Sequence, residues 1–258
     1  MRRISKSPRA PKDYEEFAAA NPNANWAAIS ENKELQAIKE RLKDALYADQ
    51  LGLCAYCESK LHLARGTAVD DFRVEHFHPK SDETGDVNWN LAWGNLLAVC
   101  TGGNQRALAD PSKFTKPDFS CDVPKGDKIL DGIILDPSRD IPAGEKIFYF
   151  RSDGRMAVHE RCPDALRDMA LATIRELRLS ETEGVSPPAK RLDTLRRDII
   201  SRVSDAISEE IEQVTHLTPG LDDEEVFSIA LTTVADKIIP DPNDPPSFYS
   251  AVSQFLGK

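Results

Sequence analysis

Nowhere does this sequence offer an unbroken apolar run of the roughly 20 residues that a bilayer-crossing helix needs, because every such run is interrupted by charge within a few residues. Its basic start, "MRRISKSPRAPKDYEEF", lacks the apolar stretch of a signal peptide, so the expectation is a cytoplasmic protein with no membrane contact. Cysteine is sparse and odd in number, five in 258 residues, which argues against a disulfide framework and for metal binding by the closely spaced ones. Positive charge is also short: 33 Lys and Arg against 43 Asp and Glu leave a net charge of −10. That argues against a protein that coats nucleic acid non-specifically, since such affinity comes from clustered cations on phosphate. There is no internal repeat, and low complexity is limited to the Pro/Asp-rich "IIPDPNDPPS".

What is present suffices for a sizeable core, with 40% hydrophobic residues in one large domain or two small ones. Charge is polarised along the chain. Acidic residues gather in "SDAISEEIEQ" and "GLDDEEVF", whereas Arg65, Arg73, Lys80, Arg106, Lys113, Lys116, Lys125 and Lys128 lie in the middle. Ile29, Leu35, Ile38, Leu42 and Leu46 recur at helical spacing, which predicts one long helix or two shorter ones from about Trp26 to a stop near Gly52. Residues 141–158 read as a hairpin, "KIFYF" leading into a Ser152-Asp153-Gly154 turn. "CPDALRDMALATIRELRL", "AKRLDTLRRDIISRVSDAISEEIEQV" and "DEEVFSIALTTVADKII" each carry helical periodicity. The division expected is a basic arm and helix over 1–52, a metal-held core over 53–140, and a hairpin with a helical subdomain over 141–258. The class is α+β, mostly helical.

Cys54 and Cys57 form a CxxC, the spacing at which one tight turn presents two thiolates to a tetrahedral zinc. A redox pair is the other use of this motif, but it sits at a strand-to-helix junction, and "ESKLHLARG" after Cys57 does not lead into one. Cys100, in "LAVCTGGN", supplies a third thiol where a second pair is wanted.

Between the two halves of this metal site lies "VEHFHPK", a carboxylate, two histidines, a proline and a lysine within six residues; a lone histidine would more often be a core residue bonded to a carbonyl. "VEHFHPK", "WGNLLAVC" and "CDVPKGD" occur in the order of the three segments of HNH endonucleases, which they resemble. With the basic arm and "QLGLCAYCESKL", the first half of the chain is similar to the PtuB family of HNH nucleases from Septu and retron-associated anti-phage systems. The resemblance implies a zinc-stabilised ββα-metal core with a helical lead-in and a helical tail. It implies that "CDVPKGD" is the displaced end of the zinc motif, so that Cys121 completes a closed site with Cys54, Cys57 and Cys100; the competing reading makes Cys100 and Cys121 small buried hydrophobes.

The same resemblance assigns roles. His76 is the expected general base, Glu75 a ligand of a hard divalent cation, Mg²⁺ before others, and Asn95 a brace for the loop carrying the base. Asp122 stands at the last position of the motif, where Asn or His is commoner, with Asn104 as its competitor for the catalytic ion. His78, Lys80 and Lys125 are expected phosphate contacts. The implied partners are a nucleic-acid substrate, DNA before RNA, a PtuA-type ATPase, and in retron systems a reverse transcriptase with its RNA–DNA product. Two other readings stay open: a zinc-held binding module that does not cut, and a decayed nuclease whose helical tail is the working part. Leu192, Leu195, Ile199, Val203 and Ile207 form a stripe on that tail, either a partner-docking face or an internal core face.

Overall fold

The computed structural model describes residues 1–63, 70–105, 113–184 and 189–257, so Arg65 and Arg106 lie outside the described residues. The chain opens with an extended arm and then α1 (Lys12–Ala20), α2 (Ala27–Ser30), a 3₁₀ turn at Lys33–Leu35 and α3 (Gln36–Asp49). Of the two readings of the lead-in, one long helix or two shorter ones, the chain takes the second. Asn32 causes the break, its Oδ1 accepting from the Glu34 amide at 2.8 Å and starting a new turn there. The predicted stop holds: Leu51 and Gly52 both take positive φ, 55° and 69°.

Strands β1 (Phe72–His76) and β2 (Leu96–Cys100) pair antiparallel, with Arg73 opposite Val99, Glu75 opposite Leu97 and His76 opposite Leu96. The short helix α4 (Asp122–Lys125) follows, completing a ββα unit. All of β2 is buried, which explains the unalternating "LLAVC". Its free edge is covered by a side chain imitating a strand: Gln50 accepts from the Ala98 amide at 2.8 Å and donates to the Ala98 carbonyl at 2.7 Å. The arm is clasped beside it by Lys6, whose ammonium donates to the carbonyls of Trp93 and Leu96 and lies 4.2 Å over the Trp93 ring. Burial lowers the Lys6 pKa to about 7.

The predicted hairpin is β3 (Phe148–Phe150) and β4 (Met156–Val158). Its turn needs Gly154: φ is 84°, and a Cβ there would stand 1.9 Å from the Asp193 carbonyl oxygen. The helices α5 (Asp164–Glu176), α6 (Arg191–Leu217) and α7 (Asp223–Ile238) follow, α7 starting at an Asp222/Glu225 capping box. A helix that the periodicity did not announce, α8 (Tyr249–Phe255), packs on α6 and β3.

The main core draws on the whole length, from Met1 and Tyr14 through Leu46, Leu97 and Ile134 to Phe148, Ile174 and Ala251. A smaller cluster of Val203, Val234, Ala235, Val252 and Leu256 joins α6, α7 and α8. The α6 stripe is spent here: Leu192 and Val203 are buried, Ile199 and Ile207 half-buried, and Leu195 alone of the five is exposed, so it is the internal core face. Among the described residues no helix is long and apolar enough to cross a membrane.

Candidate active site

The four cysteines named from the sequence converge. The sulfurs of Cys54, Cys57, Cys100 and Cys121 all lie within 4.8 Å of one another, with 3.6 Å between Cys100 and Cys121, 3.8 Å between Cys57 and Cys100, and 4.0 Å between Cys54 and Cys121. A tetrahedron of sulfurs about 2.3 Å from a zinc ion has edges of about 3.8 Å, so the donor set fits that metal. Four buried sulfurs and no oxygen donor among them make a closed site, one that holds a scaffold rather than activates water. The loop returning Cys121 to the cluster needs the two glycines of "TGGN": a Cβ on Gly102 would lie 2.4 Å from the Ser120 carbonyl, and on Gly103 2.2 Å from Thr115 Oγ1.

Around the end of β1 the cluster organises a second group. His76 is 6% exposed and its Nε2 lies 3.1 Å from the Asn90 carbonyl, which only accepts; Nε2 therefore carries the proton and Nδ1 the lone pair. The Trp26 ring meets the imidazole edge-on at 5.0 Å. Burial lowers the His76 pKa to about 4 against the pull of the Asn90 carbonyl, with Lys80 and Lys125 adding to the burial effect. The ring is neutral throughout the physiological range.

Glu75, its side chain 13% exposed, stands against Lys125, whose Nζ lies 2.9 Å from Oε1, and near the Tyr56 hydroxyl at 3.5 Å. Burial raises its pKa while Lys125 opposes the rise. Tyr56 is the third residue of Cys54-Ala55-Tyr56-Cys57, so the thiol knuckle itself delivers the phenol to the carboxylate. Asp122, 9% exposed, follows Cys121 directly; its Oδ1 is buried with no hydrogen-bond partner among the described residues, and its Oδ2 lies 3.4 Å from Arg73 Nε. Burial pushes the Asp122 pKa up to about 7, Arg73 pulling it down and the Glu75 charge pushing it further up.

Asn95 braces the loop beyond His76, accepting from the His78 amide at 2.7 Å and donating to the His78 and Trp89 carbonyls, both at 2.9 Å. Lys80 is exposed, and Asn104 is exposed with its Oδ1 accepting from Arg73 at 2.6 Å. His78 and Lys125 do not stand where the phosphate-contact expectation put them. His78 is stacked on Trp89 and bonds Asp131 at 2.8 Å and Asp82 at 2.9 Å through its two ring nitrogens. Lys125 is 1% exposed, donating to the His76 carbonyl at 3.0 Å as well as to Glu75, so it ties β1 to α4. Lys125→Met is accordingly expected to lower stability by about 3 kcal/mol in urea unfolding, since Glu75 is left partly buried and uncompensated, with a good part recovered by adding Glu75→Gln. A loss below about 0.5 kcal/mol, as for a surface lysine, would refute this placement.

The sequence reading missed Trp26, Asn90 and Tyr56. Asn90 acts through its main-chain carbonyl, which leaves no side-chain signature, and its side chain fixes Trp26 by accepting from that residue's amide at 2.9 Å. Tyr56 had a signal in its place inside the CxxC.

No family model matches the chain. Over 145 residues it is 37% identical to the retron Ec83 putative HNH endonuclease of Escherichia coli, covering 52% of this chain and 53% of that protein. Over 73 residues it is 32% identical to the retron Vc95 putative HNH endonuclease of Vibrio cholerae serotype O1 biovar El Tor, covering 28% of this chain and 33% of the other. The matched part thus spans about half the length or less of these curated relatives, both of which carry HNH endonuclease in their names.

Proposed function

We propose that the chain is a metal-dependent HNH-type endonuclease that hydrolyses nucleic-acid phosphodiester bonds. One observation carries the reading: a neutral imidazole whose Nε2 is held by the Asn90 carbonyl, which leaves Nδ1 as its acceptor, and a buried carboxylate oxygen with no hydrogen-bond partner among the described residues belong to one ββα unit. In this reading His76 Nδ1 takes the proton of the attacking water while the Asn90 carbonyl keeps the ring oriented and stabilises the imidazolium that forms. Asp122 Oδ1, with Glu75 beside it, would hold the divalent cation, Mg²⁺ above all; a cation there neutralises charge developing on the phosphoryl and leaving oxygens. Asn104 is turned to Arg73 and is the weaker candidate for that ligand. The four thiolates would hold a zinc ion that fixes Tyr56, Asp122 and Lys125 relative to β1.

The retron context in the relatives' names supports a reverse transcriptase and its RNA–DNA product nearby; an anti-phage role and a PtuA-type ATPase as controlling partner are proposed from the resemblance of the sequence motifs to the PtuB family alone. Cleavage of labelled DNA and RNA, with Mg²⁺ added or omitted and with or without the ATPase, tests the activity; no cleavage in any arm, from protein retaining its metal-bound thiolates, would sink it.

The ion site has its own test. Because the Asp122 carboxyl holds its proton up to about pH 7, cation and proton compete below that value, so apparent Mg²⁺ affinity should fall up to tenfold per pH unit on acidification. Asp122→Asn should abolish both the affinity and its pH dependence. The same shift has a stability consequence: the folded state holds this proton more tightly than the unfolded chain, so stability without the cation falls as pH rises from about 4 to about 7 and is level above. A binding isotherm unaltered between pH 6 and pH 8 would exclude Asp122 as the ligand.

A further inference from the structure

The loop that returns Cys121 to the thiol cluster is gripped by the helical subdomain. Lys190 stands at the N-cap of α6, and its side chain caps nothing there. Asp118, from the loop before Cys121, does so instead: its Oδ2 accepts from the Lys190 amide at 2.9 Å and from the Arg191 amide at 2.7 Å. A cation in the first turn of a helix opposes the helix dipole, so local structure gives no reason for an arginine at position 191. The reason lies in what its side chain meets.

The Arg191 guanidinium donates to Ser120 Oγ at 3.0 Å, and that oxygen lies 3.8 Å from Cys121 Sγ. Ser120 is 1% exposed and Cys121 is wholly buried. A guanidinium only donates, so Ser120 accepts from it, and the one hydroxyl proton is left for the sulfur. A Cys121 thiolate on a metal has no proton of its own and can only accept. Arg191, Ser120 and Cys121 thus form a relay that carries the influence of a cation from α6 to a metal ligand.

A second observation sets the same cation against the rest of the cluster. Arg191 and Cys100 line one cleft of about 640 Å³. Burial disfavours the Arg191 charge, yet the charges on Cys100, Cys57, Cys121 and Cys54 outweigh that effect and raise its pKa. The donors to two other sulfurs are neutral: the Cys100 amide bonds Cys54 Sγ at 3.3 Å, and the Ser59 hydroxyl stands 3.1 Å from Cys57 Sγ. Four thiolates around one Zn²⁺ retain a double negative charge, and buried charge is costly unless opposite charge or donors meet it. Arg196, the next arginine along α6, is spent on the Asp193 carboxylate at 3.0 Å.

We propose that Arg191 is the counter-cation of the four-thiolate metal site, stabilising thiolate charge through Ser120 and slowing loss of the metal. The first turn of the helical tail then serves the metal core directly. The proposal rests on the reading of the four cysteines as a zinc site.

The test uses the full chain purified with its metal. Zinc is counted by elemental analysis, and its release to the chromogenic chelator pyridylazoresorcinol is then timed. Arg191→Met should release zinc about tenfold faster or more, the size of effect usual when a group bonded behind a metal ligand is lost, whereas Arg191→Lys keeps the charge and should stay close to wild type. With Co²⁺ in place of zinc, the sulfur-to-metal charge-transfer band of Arg191→Met should move to lower energy, because the cation no longer stabilises the thiolate lone pairs. A residue that only held α6 in place would lower the melting temperature and leave that band where it was. Ser120→Ala leaves Asp118 on the α6 amides and should move the band in the same direction; it decides the matter if Arg191→Met does not fold. Wild type without zinc would overturn the zinc reading and this proposal together. Wild type with zinc, and with release and band unaltered in Arg191→Met and Ser120→Ala, would overturn this proposal alone.

Discussion

Cys121→Ser is expected to empty the four-thiolate cluster and unfold the ββα unit. The purified variant should carry no zinc by elemental analysis, where wild type carries one equivalent, and its melting temperature should drop by on the order of 10 °C or more. Structural zinc contributes roughly 10–16 kcal/mol in small zinc-held domains, and even a fraction of that exceeds what a small buried side chain supplies. The geometry makes Cys121 the sensitive member. It is fully buried, its φ is 62°, and its amide donates to the Leu177 carbonyl at 2.8 Å, so it joins the cluster to the segment leaving α5. Next to it Asp122 begins α4. Cys162→Ser is the control, since that thiol stands apart from the cluster with its Sγ 3.6 Å from the Pro163 carbonyl. A Cys121→Ser protein that retained one zinc and melted with wild type would return Cys100 and Cys121 to the status of small buried hydrophobes.

This dependence explains why the cluster matters for chemistry it cannot perform. Tyr56 lies inside one thiol pair, Cys100 ends β2, and Asp122 and Lys125 follow Cys121 within four residues. Each of the two carboxylates proposed for the ion therefore has a near neighbour next to a cluster cysteine: Glu75 through Tyr56 and Lys125, and Asp122 through the preceding peptide bond. Holding reacting groups to a fraction of an ångström demands rigid support, and a small core with two five-residue strands has little other source of it.

How far the site could be read in advance depended on what kind of signal each residue leaves. The four converging cysteines were legible because side-chain chemistry selected them, and the hairpin at 148–158 because its turn residue has no substitute. His78 and Lys125 were misplaced because a lysine or histidine beside a catalytic motif looks like a phosphate contact until its carboxylate partner is seen. Asp131 is 53 residues from His78, and Glu75 is 50 from Lys125. No local pattern encodes such pairings. Trp26 and Asn90 were invisible for a related reason: one works by covering a ring, the other by a carbonyl that every residue possesses. Likewise α8 is seven residues long beyond a Pro-rich stretch, too short for a period to declare itself, and is held by α6 and β3.

His76→Ala should reduce cleavage by about 10²- to 10⁴-fold, the range that a positioned general base contributes, with zinc content unchanged. The side chain's own ties are a bond to the Asn90 carbonyl and the edge contact with Trp26, so a folded variant is expected. The ring leaves a space between those two residues that free imidazole could enter. Partial recovery of cleavage on adding imidazole would separate loss of a base from loss of structure. The acid dependence gives a second separation. The folded His76 pKa of about 4 lies below the ordinary 6.5, so the unfolded chain binds the proton first; stability is full above pH 6.5 and is lost as pH falls toward 4, by about 3 kcal/mol for this group. His76→Ala should flatten that limb in urea unfolding. Cleavage by wild type, in contrast, should fall on acidification through the Asp122 proton near pH 7, since His76 remains unprotonated far below it. Raising Mg²⁺ must then move this limb to lower pH, because the cation displaces the proton from Asp122. A limb that ignores Mg²⁺ concentration would mean that another group sets the rate, and a fully active His76→Ala protein would remove the base from the mechanism.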